Sequence, residues 1–153
     1  GYISSSPNVY NLEERRSGFL SALRTHDLSL APQDIIPTNS YSSDGVQRLK
    51  AALSDRSDIP TAFFCENDYT ALSLVSALIQ LGYSVPGDVS VIGFDDVPEC
   101  SLTTPPLSTV HVDRQALATA AVDRLHLLMT SPNIPSQSIL VNVSIRMRAS
   151  VAE

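Results

Sequence analysis

Along residues 1–94, short apolar runs alternate with helical periods, and this alternation limits the fold more than any other feature of the chain. Residues 1–3 read as the end of a strand. Asn11 stands before Leu12 with Glu14 three residues on, a capping-box variant that opens a helix. Leu12, Phe19, Leu20 and Leu23 share one face of it, to about residue 25. Residues 34–36 form a short strand closed by Pro37. Asp44 is placed to cap a second helix with Val46, Leu49 and Leu53 inside. Pro60 precedes a strand at 61–65. Asp68 is placed to cap a third helix with Leu72, Val75, Leu78 and Ile79 as its inner face, and Gly82 to end it. Residues 89–94, Val-Ser-Val-Ile-Gly-Phe, are the clearest strand of all. Strands joined through helices must run parallel. The chain is therefore expected to be α/β, a doubly wound parallel sheet with helices on both faces.

Past Phe94 the rhythm changes. Residues 95–106 form a polar loop, and 107–112 read as a strand. Asp113 opens a helix with Leu117, Ala121, Leu125 and Leu128 on one face. Pro132 and Pro135 mark a linker, and 139–147 alternate like a strand.

Composition removes several function classes. The chain has 153 residues, 10 basic against 16 acidic, for a net charge of −6. Such a chain repels phosphates and is a poor non-specific binder of nucleic acid or membrane surfaces. No apolar run approaches the ~20 residues of a membrane span. Two cysteines, Cys65 and Cys100, are too few for a disulfide scaffold. The opening at Gly1, with no initiator Met and no signal-peptide core, is expected of a piece of a longer protein.

Open α/β sheets bind ligands beyond the carboxyl ends of their strands. Those exits hold Ser4, Ser5 and Ser6 after the first strand and Thr38, Asn39, Ser40 and Tyr41 after the second. Glu66, Asn67 and Asp68 follow the third, and Asp95 and Asp96 the fourth. Acceptors dominate and Tyr41 adds an aromatic plate, which suits a polyhydroxylated or nitrogen-rich small molecule. Polar residues also follow strands simply as caps and turns, so the joint pattern says more than any one residue. Catalytic motifs are missing: there is no G-x-S-x-G, Walker loop or G-x-G-x-x-G. His26, His111 and His126 have no ligand spacing. Glu66, Asp68, Asp95 and Asp96 could form an acidic Mg²⁺ site of the phosphoacceptor kind. The single lysine, Lys50, lies on a helix and not after a later strand, which disfavours that chemistry.

Three stretches together resemble one family. Arg15-Arg16-Ser17-Gly18-Phe19 with Ala22-Leu23 is similar to an R-x-x-G-F-x-x-A-L helix. Pro60-Thr61-Ala62 through Asn67-Asp68, with Ala71-Leu72 and Gly82, is similar to a P-T-A…N-D…A-L…G segment. The third runs from Val85-Pro86 through Gly93-Phe94-Asp95-Asp96 to Thr104-Pro105-Pro106-Leu107-Ser108-Thr109-Val110. These resemble the effector-binding region of LacI/GalR-family bacterial transcription regulators. The resemblance implies a type I periplasmic-binding-protein-like fold of two subdomains, with mostly one of them present. It implies a non-enzymatic role without metal or cofactor, and an effector of sugar or nucleobase class in the cleft. It also implies homodimerisation, and DNA binding through a helix-turn-helix headpiece outside this chain.

By the same resemblance, Arg15, Asn67 and Asp95 contact the effector, with Asn11 a looser candidate one helical turn before Arg15. Ala71, Leu72 and Val75 on the third helix are the candidate dimer face. Residues 1–112 correspond to the C-terminal effector-binding subdomain, 113–136 to a helix and linker of the N-terminal one, and 137–153 to the returning strand. Departures exist. The family's cleft aromatic falls at Ser40, with Tyr41 one residue off. Val112 stands where many members carry a glutamine, and Glu66 where a small residue is common. A free solute-binding protein for sugar uptake is the alternative reading of the same fold.

Overall fold

The computed structural model describes residues 1–5, 9–39, 42–131 and 133–152. Its elements are β1 (Tyr2–Ser5), α1 (Tyr10–Thr25), β2 (Ile35–Thr38), α2 (Gly45–Ser54), β3 (Ala62–Cys65), α3 (Asp68–Gln80), β4 (Ser90–Asp95), β5 (Ser108–Val112), α4 (Arg114–Thr130) and β6 (Val143–Arg146). One six-stranded sheet has the order β2-β1-β3-β4-β5-β6. The first five strands are parallel and β6 joins the edge antiparallel to β5. The winding starts at β1, goes outward to β2, then reverses through β3, β4 and β5. The reversal leaves a crevice at the carboxyl ends of β1 and β3, where doubly wound sheets hold ligands.

Alternation within the strands assigns the two faces. Ile3, Phe63, Cys65 and Val91 join Leu49, Leu53, Leu74 and Leu78 of α2 and α3 in one buried core. On the opposite face, α1 lies over Tyr2 and Phe64, which are partners in the β1–β3 register. The Phe19 ring of α1 sits 5.3 Å from Tyr2 and 5.3 Å from Phe64, centroid to centroid. Arg15 is one helical turn before Phe19, so the pinned ring sets where its guanidinium arrives. Phe19→Ala should lower stability by about 2–3 kcal/mol, because a half-buried aromatic leaves its cluster. A urea midpoint unchanged from the parent would contradict this.

Several local expectations need correction. The cap of α1 is Val9, without a side-chain bond, and Asn11 lies exposed inside the first turn. Asp44 precedes α2, but its carboxylate bonds Ser42 and Arg48 and no helical N–H. The cap of α3 is Asn67, whose Oδ1 accepts the Thr70 N–H at 2.9 Å. Asp68 is the next residue and faces inward, fully buried. Gly82 does follow the end of α3, at φ +91°, a conformation glycine adopts without strain. Asp113 caps α4 through the Ala116 N–H at 2.9 Å.

Of the candidate dimer face, Ala71 and Val75 are 0% and 5% exposed and packed in this chain's own core. The third helix turns by 100° per residue, and the sheet takes the side bearing Ala71, Leu74, Val75 and Leu78. Its outward surface is Tyr69 and Ile79, with Leu72 partly covered. The expected stripe of α4 stays open. Leu117, Leu125 and Leu128 are 43%, 58% and 41% exposed, and no residue of the helix is buried. No described helix is long and apolar enough to cross a membrane.

Candidate functional site

Arg15 reaches from α1 across the crevice. Its Nη1 donates to the Glu66 carbonyl at 2.6 Å and its Nη2 to Asp95 Oδ1 at 3.0 Å. Its guanidinium carbon lies 3.8 Å from the Phe94 ring centroid, a cation–π contact. Phe94 is placed there by the alternation of β4, which turns it toward the α1 face. The pair joins an anion at the end of β4 to a cation from α1. Burial pushes the Asp95 carboxyl above the usual aspartate range, although Arg15 pulls the other way. The site thus presents a planar set of donors beside a carboxylate acceptor, the chemistry that adjacent hydroxyls or a heterocycle edge satisfy.

The backbone at this point is unusual. Asp95 has φ +113° and Asp96 φ +55°. Such values at non-glycine residues cost about 1–3 kcal/mol each and persist where the surroundings enforce them. Here they send neighbouring carboxylates in different directions. Asp95 turns to Arg15. Asp96 Oδ1 accepts from Arg148 Nη2 at 2.7 Å and Oδ2 from His111 Nδ1 at 2.8 Å. Burial opposes the Asp96 charge, but Arg148 and His111 outweigh it and hold the carboxyl below the usual range.

The remaining acids brace the site. Glu66 is 4% exposed; its Oε1 accepts the Tyr2 hydroxyl at 2.7 Å, and its Oε2 the Ser5 N–H at 2.6 Å and Ser5 hydroxyl at 3.0 Å. Burial and this bond raise the Tyr2 phenol well above its ordinary value. Asn67 Nδ2 donates to Ser5 Oγ at 3.3 Å, so β1 and β3 are tied together at the floor of the crevice. Asp68 Oδ1 accepts the Thr109 hydroxyl at 2.5 Å and Oδ2 the Val97 N–H at 2.9 Å. Gly93 is what lets Asp68 in: a Cβ there would overlap Oδ1 and stand 3.2 Å from the Asp68 Cα. Burial, with Asp68 beside it, pushes the Cys100 thiol up to about 12.

The four carboxylates of the sequence cluster therefore diverge, each toward its own donors. Among the described residues no three His, Cys, Asp or Glu side chains are grouped to hold a metal. Arg15, Asn67 and Asp95 are brought to one crevice. Asn11 lies one turn before Arg15, exposed, and bonds none of them among the described residues. Tyr41, with Ser40 and Ser6, lies outside the described residues. Sequence reasoning missed Phe94 beneath Arg15 and the bracing by Ser5 and Glu66. Period-two alternation in β4 carried the first signal. The others depend on contacts between residues more than 60 apart in sequence and had no local signal.

The fold and sequence have known counterparts. The periplasmic binding protein-like domain matches residues 1–151. The HTH-type transcriptional repressor PurR of Mannheimia succiniciproducens is 31% identical over 99% of this chain, which spans 45% of that protein's length. A LacI-family transcriptional regulator from Burkhoderia phymatum is 32% identical over 99% of this chain and 55% of its own, with a TM-score of 0.79. A LacI-family regulator from Enterococcus faecium, solved with bound ribose, is 27% identical over 99% of this chain and 55% of its own, TM-score 0.85. The chain spans about half the length of the proteins it matches. By fold, by matched residues and by the regulators that share it, this chain belongs to the periplasmic-binding-protein-like domain family in the form carried by LacI-type transcriptional regulators.

Proposed function

We propose that this chain is the effector-binding and dimerising part of a cytoplasmic DNA-binding repressor. It binds a sugar-like or nucleobase-like small molecule and is not an enzyme. The observation that carries the reading is the Arg15–Asp95 pair, stacked on Phe94 at the crevice of the doubly wound sheet. Arg15, Asp95 and Asn67 contact the effector directly, with Asn11 and Tyr41 as further candidate contacts. Residues 1–112 and the strand after 137 form one subdomain, and 113–136 pack in the other. A homodimer uses Leu72 with its exposed neighbours Tyr69 and Ile79. The ribose-bound relative supports a polyhydroxylated ligand. An effector can shift operator affinity only by binding the two states of the protein unequally.

The test is a thermal-shift screen of the full-length protein against sugars and nucleobases, followed by band shifts with DNA from its own upstream region. A hit should move both the melting temperature and the DNA affinity. DNA binding indifferent to every stabilising compound would refute the reading. The affinity for a hit should also depend on pH. Asp95 offers a charged acceptor on both oxygens only when ionised, and its carboxyl is raised by burial. Affinity is then full well above the raised value and falls as pH drops through it, starting above the ~3.9 of an ordinary aspartate. Calorimetric titration at stepped pH reads this directly.

A further inference from the structure

Asp96 makes no bond toward the crevice, yet it is the residue next to Asp95 in a turn of two positive φ angles. Its partners come from every segment that attaches α4 to the sheet. His111 belongs to β5, the strand that runs into α4, and pairs with Asp95 in the β4–β5 register. Arg114 is the first residue of α4, and its Nη2 donates to the Asp96 carbonyl at 3.2 Å. Arg148 follows β6, the strand that returns from the α4 side, and its second nitrogen donates to the Leu107 carbonyl at 2.8 Å. The Arg148 N–H donates to Ser108 Oγ at 2.8 Å, which locks this return to the start of β5. The Asp96 side chain is only 14% exposed, so these are partly desolvated, charge-assisted bonds.

We propose that Asp96 is a positioning latch: its carboxylate, shared by His111 and Arg148, fixes the angle at which the segments bearing α4 leave the sheet, directly behind the ligand-facing Asp95. The inference rests on the effector-binding reading for its purpose, because a latch beside Asp95 is where an occupied crevice would bias the pose of α4. Its geometry does not need the effector. With one carboxylate bridging His111 on β5 and Arg148 just after β6, its removal frees both segments at once, whereas loss of either partner leaves one arm in place.

The test uses the full-length protein without ligand. Cysteines introduced at exposed Gln47 on α2 and Thr119 on α4 carry spin labels, Cys65 and Cys100 being fully buried. The parent should show a narrow distance distribution. Asp96→Asn should broaden it at least twofold, and His111→Ala and Arg148→Lys should each broaden it less. Melting temperatures are followed alongside. A residue that merely stabilises the fold would lower them with the distribution unchanged, and that outcome overturns the latch. Should Asp96→Ala fail to fold, Asp96→Asn and the two partner variants still decide. An unchanged distribution in Asp96→Asn sinks the latch and leaves the effector site standing. Ordinary effector affinity in Asp95→Ala sinks the site and leaves the latch.

Discussion

Asp95→Ala in the full-length protein is expected to abolish the effector response while the fold survives. The side chain is 34% exposed and bonds Arg15, whose largely buried guanidinium keeps the Glu66 carbonyl and the Phe94 ring when the carboxylate is removed. What disappears is the charged acceptor for the ligand. Truncating one member of a hydrogen-bonded charge pair costs about 2–5 kcal/mol of binding. At 1.4 kcal/mol per tenfold, that is an affinity loss of about 30- to 4,000-fold. Arg15→Ala should lose at least as much. It removes both nitrogens from the crevice and uncovers Phe94, so it should also cost about 1 kcal/mol of stability. Arg15→Lys should not rescue binding, because an ammonium cannot reproduce two parallel donors stacked on a ring. Calorimetry with a compound found in the thermal-shift screen checks all three, and parental affinity in either alanine variant would remove these residues from the site.

The second large effect is on stability. Gly93→Ala puts a methyl group into the Asp68 carboxylate, 3.2 Å from the Asp68 backbone and 3.3 Å from the Ala71 Cβ. Neither side can retreat: Asp68 is held by Thr109 and Val97, and Ala71 lies on a helix packed to the sheet. Relief by turning Asp68 away leaves a fully buried carboxylate without its donors. Overpacking costs ~1–3 kcal/mol, and losing bonds to a buried charge adds about as much. We expect a loss of about 3–5 kcal/mol, read as a lower urea midpoint with an unchanged slope. A change under about 1 kcal/mol would mean that α3 can slide, contrary to its packing. The double variant Gly93→Ala, Asp68→Ala should recover part of the loss, since it removes one of the clashing groups but orphans the Val97 N–H and Thr109 hydroxyl.

The core was legible in the sequence wherever periodicity and burial coincide. Leu49, Leu53 and Leu78 fall inside as spacing requires, and the four parallel strands of residues 1–94 lie where apolar runs place them. The misplacements have physical reasons. Asn67 and Asp68 are both good caps by type; the Asp68 side chain is drawn inward by Thr109, forty-one residues away, and the cap falls to its neighbour. Only the resemblance offers Ala71 and Val75 to a second copy; the spacing already puts Val75 on the inner face, and this chain's own core takes both. Ile79 then points outward. The edge strand is shorter than its alternation suggests, spanning Val143–Arg146, because only this stretch finds β5 to pair with. At the candidate site, the motif resemblance points to Arg15, Asn67 and Asp95, and strand-end position to Asn67 and Asp95 alone. Phe94 has no role in the sequence and Asp96 only that of a strand-end acceptor, since their contacts exist only once α1, β5 and the segment after β6 arrive.

The two margins of the sheet are protected unequally. On one side, β2 carries Pro37, a residue with no N–H to offer an incoming strand. On the other, β6 leaves a ladder of donors and acceptors beside Val143 and Ile145, 52% and 62% exposed, with Arg146 as the charge between it and a neighbour. Self-association by strand addition therefore has one open door, and it is the β6 margin. Where this stretch of chain is handled by itself, added charge on the outer face of β6, and not repair of the interior, is the route to keeping it dispersed.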